Sequence, residues 1–151
     1  MSQVDFYHLQ NQTLENVLPK LLEKAYSTGK KIKIKIGNDE RVEFINAALW
    51  TYDDQSFLPH GSKKDGFAED QPIWLSTGDD NPNNAEFLFL VDGALIAVEE
   101  AAKFERIFNI FDGNVPAAVE QARTFWKELK QAAHSINYWQ QDGSGKWNKK
   151  A

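Results

Sequence analysis

The stretch Ala85–Val91, AEFLFLV, is apolar without a break from Phe87 onward and follows a run of turn residues, Gly78–Asn84, GDDNPNN. A strand with one wet face alternates apolar and polar residues. An unbroken run bounded by turn chemistry suits a strand covered on both faces, as in a parallel sheet, and belongs near the centre of that sheet. Working outward, Lys31–Gly37, KIKIKIG, alternates strictly, so Ile32, Ile34 and Ile36 share one face and Lys31, Lys33 and Lys35 the other. That lysine row is read as keeping a sheet face or edge wet rather than as an anion site. Val4–Leu9 (VDFYHL), Pro72–Thr77 (PIWLST) and Arg106–Phe111 (RIFNIF, closed by Asp112-Gly113) are further short β-prone runs, and Ile136–Gln140 adds a last extended piece.

Between these runs the apolar period becomes helical. Thr13 is placed to cap a segment whose Leu14, Val17, Leu18, Leu21, Leu22 and Ala25 share a face, with Gly29 past its end; Pro19 should bend this helix or mark its first turn. Asn38 or Asp39 caps a second helix that turns Val42, Ile45, Ala48 and Leu49 inward. Leu95–Phe104 suits a short third, and Pro116–Ala133, PAAVEQARTFWKELKQAA, is the longest, with proline in its first turn. Strands alternating with helices predict a three-layer α/β/α single domain with a mainly parallel sheet and right-handed crossovers, spanning 1–140, followed by a flexible basic C-terminal tail, 141–151. The segment 53–71, rich in Gly, Ser and charge, reads as a long surface connection.

Composition narrows the chemistry. A chain of 151 residues can bury roughly 68–70% of its unfolded surface without staples. Cysteine is absent, which excludes a disulfide framework, a thiol nucleophile and a Cys-based metal site, and fits a reducing cytosol. No basic-then-apolar leader opens the sequence and no 18 successive residues are apolar, so the expectation is a soluble cytoplasmic protein without membrane contact. A formal charge of −5 argues against coating nucleic acid by bulk electrostatics. His8, His60 and His134 lie on separate elements without metal-ligand spacing, Gly143-Ser144-Gly145-Lys146 lacks the full phosphate-loop pattern, and no Gly-x-Ser-x-Gly elbow occurs. No catalytic constellation, metal or cofactor is expected.

What stands out is the outward face of the longest helix. Ala118, Val119, Ala122, Phe125 and Leu129 form the inner stripe, whereas Arg123, Trp126, Lys127 and Lys130, three and four residues apart, gather cations around an indole. This patch reads as a receptor surface, and the same spacing also suits a solvated charged face. Trp50, Phe57, Trp126, Tyr138, Trp139 and Trp147 fall at element ends and in loops, positions that suit contacts with partners.

Several blocks, taken in order, resemble the chi subunit family of bacterial DNA polymerase III along nearly the whole chain. They are DFYHL at Asp5–Leu9, Thr28-Gly29-Lys30, ALW at Ala48–Trp50, SFLPHG at Ser56–Gly61, PIWLS, FLFLVDG at Phe87–Gly93, FERIFNIFDG at Phe104–Gly113, AR-x-x-WK-x-x-K at Ala122–Lys130, and YWQQ from Tyr138. The resemblance implies an α/β fold without catalytic activity and a linking role in the replisome. It implies two partners: the acidic C-terminal tail of single-stranded-DNA-binding protein, at Arg123, Trp126 and Lys127 with Lys130 as a weaker attractor, and a psi-like clamp-loader subunit, at Trp50 and Phe57. Nucleic acid would be met only indirectly. In two places the chain departs from the family pattern: Trp126 replaces a tyrosine of some members, and Ala133 stands at a common glycine position before His134. Two other readings compete with this one, a nucleotide- or phosphate-binding α/β enzyme with its site at the carboxyl ends of the strands, and a direct single-stranded-DNA binder using the lysines of KIKIKIG.

Overall fold

Phe87–Val91 (β5) lies between Ile32–Ile36 (β2) and Arg106–Asp112 (β6), with all five residues buried, as its unbroken apolar run requires. The computed structural model describes residues 2–10, 12–52, 58–144 and 146–150. The remaining strands are Gln3–Leu9 (β1), Gly61–Ser62 (β3), Ile73–Ser76 (β4), Ser135–Gln141 (β7) and Trp147–Lys149 (β8). They form one eight-stranded sheet in the order β3-β4-β2-β5-β6-β1-β7-β8, parallel throughout except for the antiparallel β7–β8 pair.

Leu14–Tyr26 (α1) and Asp39–Thr51 (α2) cover one face, meeting Ile32, Ile34, Ile36, Phe87, Phe89 and Val91; Val98–Ala101 (α3) and Pro116–Gln131 (α4) cover the other, meeting Val4, Phe6, Leu88, Leu90 and Ile107. The chain is thus the expected α/β domain with helices on both faces of a mainly parallel sheet. Several boundaries differ from the sequence reading. Thr13 stands at the N-cap of α1 without a side-chain cap bond, and the helix runs through Pro19 from a start at Leu14, so the proline is neither a break nor a first turn. Asn38 caps α2, its side chain accepting from Arg41 N at 2.9 Å. The third helix shrinks to one turn, because Asp92 and Gly93 take left-handed backbone and Leu95 and Ile96 stay in the loop. Within the stretch read as a tail, Trp147–Lys149 pairs with β7.

The lysine row is wet only in part: Lys31 is exposed and Lys35 half-buried, but Lys33 is covered. Because β2 is an inner strand, its second face lies beneath the turn that follows β4, and Lys33 is only 1% exposed. Its ammonium donates to Gly78 O (3.0 Å), Asp80 O (2.5 Å) and Asp80 Oδ1 (3.2 Å), while Lys35 Nζ donates to Asp79 Oδ1 and Leu95 O, both at 2.5 Å. A buried ammonium demands such oxygens, since an unpaired one costs several kcal/mol. Strict alternation showed two faces but not that both are covered.

Candidate site beside helix α4

Pro116 opens α4 at a first-turn position, and the helix presents Ala122, Phe125 and Leu129 to the core. Arg123, Lys127 and Lys130 are exposed, and Trp126 is half-buried at the boundary. The Trp126 ring packs on Phe6 of β1 (centroids 5.4 Å apart) and edge-on against Tyr138 of β7 (6.0 Å). This packing leaves a cavity of about 350 Å³ between α4 and the sheet, floored by Phe6, His8, Phe111 and Tyr138, walled by Trp126, and rimmed by Arg123 and Lys127. Lys130, a further turn along, does not line it. Among the described residues no ion pair uses Arg123, Lys127 or Lys130. The cations therefore stand over an apolar hollow with their charge uncommitted.

The floor was not visible from the helix pattern. β1 lies between β6 and β7, which sets Phe6 across from Tyr138 and His8 across from Phe111. His8 Nδ1 is hydrogen-bonded to the Tyr138 hydroxyl, and its ring meets Phe111 edge-on at 5.1 Å. Burial lowers the His8 pKa from the ordinary imidazole value, with the Asp112 charge opposing, which favours the neutral ring in the floor. Burial likewise raises the Tyr138 hydroxyl, with Arg123 opposing. Gly113 lies behind the floor without lining it: a Cβ there would sit 1.8 Å from His8 Nε2, so glycine is what fits against the imidazole. At the end of α4, Ala133 adopts φ +62°, the conformation glycine accepts most easily, and His134 N bonds back to Leu129 O at 3.2 Å. His134 Nδ1 in turn accepts from Ser2 N at 3.1 Å.

At the other end of the sheet, Trp50 is 48% exposed near the end of α2, with its ring 4.1 Å from that of His60. His60 is buried between Leu58 O (2.5 Å) and Asn46 O (3.0 Å), a fixed platform beneath the indole. Phe57, read together with Trp50, lies outside the described residues. Phe44 and Phe67, 52% and 77% exposed, are further large apolar side chains on α2 and on the connection after β3, and neither was singled out by spacing.

A second hollow, about 710 Å³, opens at the carboxyl ends of β1, β5 and β6. Its charged lining is Glu15, Asp92, Asp112 and Arg41, with Arg41 bonded to both Glu15 and Asp92. Three carboxylates against one committed guanidinium make a poor phosphate site. Among the described residues no group of three His, Cys, Asp or Glu could hold a metal ion, and no helix is long and apolar enough to cross a membrane.

The sequence model of the family described as DNA polymerase III chi subunit, HolC, matches residues 1–137. The chain belongs to the chi subunit family. The probable DNA polymerase III subunit chi of Rickettsia prowazekii (strain Madrid E) is 33% identical over 156 residues, covering 99% of this chain and 92% of the relative. A chi-family chain is an accessory subunit of the replicative polymerase, with its role in DNA replication. Three of the blocks that carry the family likeness are strands with their ends: FLFLVDG is β5 and its turn, FERIFNIFDG is β6 and its turn, and DFYHL is most of β1. AR-x-x-WK is the part of α4 that borders the cavity.

Proposed function

We propose that this chi-family chain is a non-catalytic, cytoplasmic adaptor that takes the acidic C-terminal tail of single-stranded-DNA-binding protein in the cavity beside α4 and a psi-like clamp-loader subunit at the edge carrying Trp50, with Phe57 as the second residue that the family resemblance implies. The observation that carries the reading is the apolar hollow of about 350 Å³ with uncommitted Arg123 and Lys127 at its mouth. An acidic tail ending in an aromatic residue offers a ring for the hollow, a terminal carboxylate and further carboxylates for the rim. Arg123 grips the terminal carboxylate through two parallel N–H donors, Lys127 acts as a point charge, and Lys130 attracts from one turn away. Trp126 and Tyr138 wall the ring. At the psi-like edge, an exposed indole on a fixed imidazole platform is the kind of rigid aromatic in which interface energy concentrates. At these two surfaces nucleic acid is reached only through the tail's own protein.

The two competing readings lose their support. Of the lysines of KIKIKIG that a direct DNA contact would use, Lys33 and Lys35 are committed to Asp79, Asp80 and backbone carbonyls, which leaves Lys31 alone exposed. The hollow at the carboxyl ends has the wrong charge for phosphate.

Calorimetry with an acidic peptide ending in Phe tests the tail site, beside versions that are C-terminally amidated or lack the Phe. A hydrogen bond to a charged group contributes about 1.5–3 kcal/mol, so Arg123→Ala is expected to weaken binding roughly 10- to 150-fold, and Lys127→Ala less. Affinity falls with salt through the rim, while the need for the terminal Phe persists. Equal affinity for all three peptides and for Arg123→Ala would return this face to plain solvated charge.

A further inference from the structure

We propose that the face of the β7–β8 hairpin turned toward α1 binds single-stranded nucleic acid directly, taking a base between aromatic side chains and the backbone on flanking cations. β8 lies beyond residues 1–137, the part that the family model matches, and its Trp147 packs on the sheet face opposite α4. Trp139 stacks on Tyr7 with planes 10° apart, and Trp147 meets Tyr7 edge-on at 5.1 Å. With Phe108, Lys24 and Arg106 these rings line a cleft of about 200 Å³, the scale of a single nucleobase. Trp139 Nε1 donates to Asp5 Oδ1 at 3.2 Å, so the indole is fixed by its edge. A preformed aromatic surface is what stacking needs, because every base has a π-face.

Charge supports the same ligand. No carboxylate is among the residues lining the cleft. Asp5, the acid behind it, is 1% exposed and accepts from Arg106 Nη2 (2.6 Å) and Asn137 Nδ2 (2.9 Å). Asp142, in the hairpin turn, accepts from the backbone of Ser144 and Lys146. Arg106 lies 4.6 Å over the Phe108 ring, and its Nε has no hydrogen-bond partner. Lys149 stands opposite Trp139 in the β7–β8 register, on the cleft side, and neither Lys149 nor Lys24 has an ion-pair partner among the described residues. Within a chain of net charge −5, this is a local patch that is aromatic and cationic together. A polyglutamate peptide could use the lysines but not the aromatic surface, which separates it from a nucleobase on a phosphate backbone.

The inference does not rest on the tail-binding reading, and its test separates the two. Fluorescence anisotropy of a labelled oligo-dT with the full chain at low salt should show saturable binding that weakens about sevenfold for a roughly fourfold rise in salt, the slope expected of two phosphate contacts. Trp147→Ala should weaken it about 5- to 150-fold, the range for loss of one stacking ring. Lys24→Glu and Lys149→Glu, exposed changes that leave the hairpin intact by circular dichroism, should each weaken it, and Arg123→Ala should not. No binding at low salt would overturn the proposal. So would binding that ignores Lys24→Glu and Lys149→Glu, or a polyglutamate peptide that displaces the oligonucleotide from wild-type and Arg123→Ala protein alike.

Discussion

Replacing Asp80 by Asn keeps the shape of the turn over β2 but removes the charge facing a buried ammonium. Asp80 Oδ1 accepts from Lys33 Nζ at 3.2 Å and Ser76 Oγ at 2.7 Å, and Oδ2 accepts from Trp74 Nε1 at 3.0 Å. The Lys33 side chain is 2% exposed and that of Asp80 49%, so solvent screens the carboxylate but not its partner. Loss of a fully buried partner costs about 3–5 kcal/mol; with half of the carboxylate in water, the value for one charge-assisted bond, about 1.5–3 kcal/mol, is the better guide. For a chain of this size that lowers Tm by about 3–12 °C. The pH dependence fixes the sign. Burial pushes the Asp80 carboxyl up, but bonds from Ser76 and Trp74 and the Lys33 charge outweigh it, leaving the folded pKa below the ordinary 3.8. A depressed carboxylate stabilises fully above its unfolded value and loses that contribution as pH falls through the folded one. Urea melts at pH 7 should therefore show the full deficit of Asp80→Asn, and acid melts a shrinking one. Lys33→Met removes the ammonium itself, and in that background Asp80→Asn should cost much less. A Tm for Asp80→Asn within about 1 °C of wild type at pH 7 would show that the carbonyls of Gly78 and Asp80 satisfy Lys33 alone.

Gly113→Ala forces the His8 ring away from its place and should cost about 1–3 kcal/mol while weakening the acidic peptide, although Gly113 does not line the cavity; a thermal melt beside calorimetry checks both effects. Trp50→Ala should leave Tm nearly unchanged, because the side chain is half in water, yet weaken a psi-like partner by at least about 2 kcal/mol; normal partner binding with a large fall in Tm would instead make Trp50 part of the core. Arg123→Ala and Trp50→Ala combined should show additive effects on the two partners, measured as peptide affinity with and without the second partner bound.

The sheet was legible because its strongest signals were local. The unbroken FLFLV, the turn before it and the Pro116 start of α4 each carry their meaning within a few residues, and each lies where its pattern put it. What escaped depends on which strands become neighbours. The floor of the α4 cavity joins residues 6, 8, 111 and 138, which meet only because β1 lies between β6 and β7. The burial of Lys33 depends likewise on β2 being an inner strand beneath a turn some 45 residues away in sequence. Trp147 stood in a stretch rich in Gly, Ser and Lys, where composition favours flexibility; only the pairing with β7 and the Tyr7 ring gives it a place.

The sheet order also bears on how an adaptor of this shape would work. α2, with Trp50, packs over β2, β4 and β3 on one face and toward one end of the sheet; α4, with Arg123, packs over β6 and β7 on the opposite face and toward the other end. β5 and β6 lie in the middle of the sheet, and their apolar side chains are close-packed on both faces, an arrangement that resists continuous deformation. Coupling between two sites needs an element with two arrangements that both ligands bias. The central strands offer none, since their residues are buried and their register is set by alternating faces. An adaptor built this way would hold its two proposed partners at a fixed separation without letting one change the other's affinity. Any coupling found between the tail and the psi-like partner would therefore have to arise in direct contact between the partners themselves.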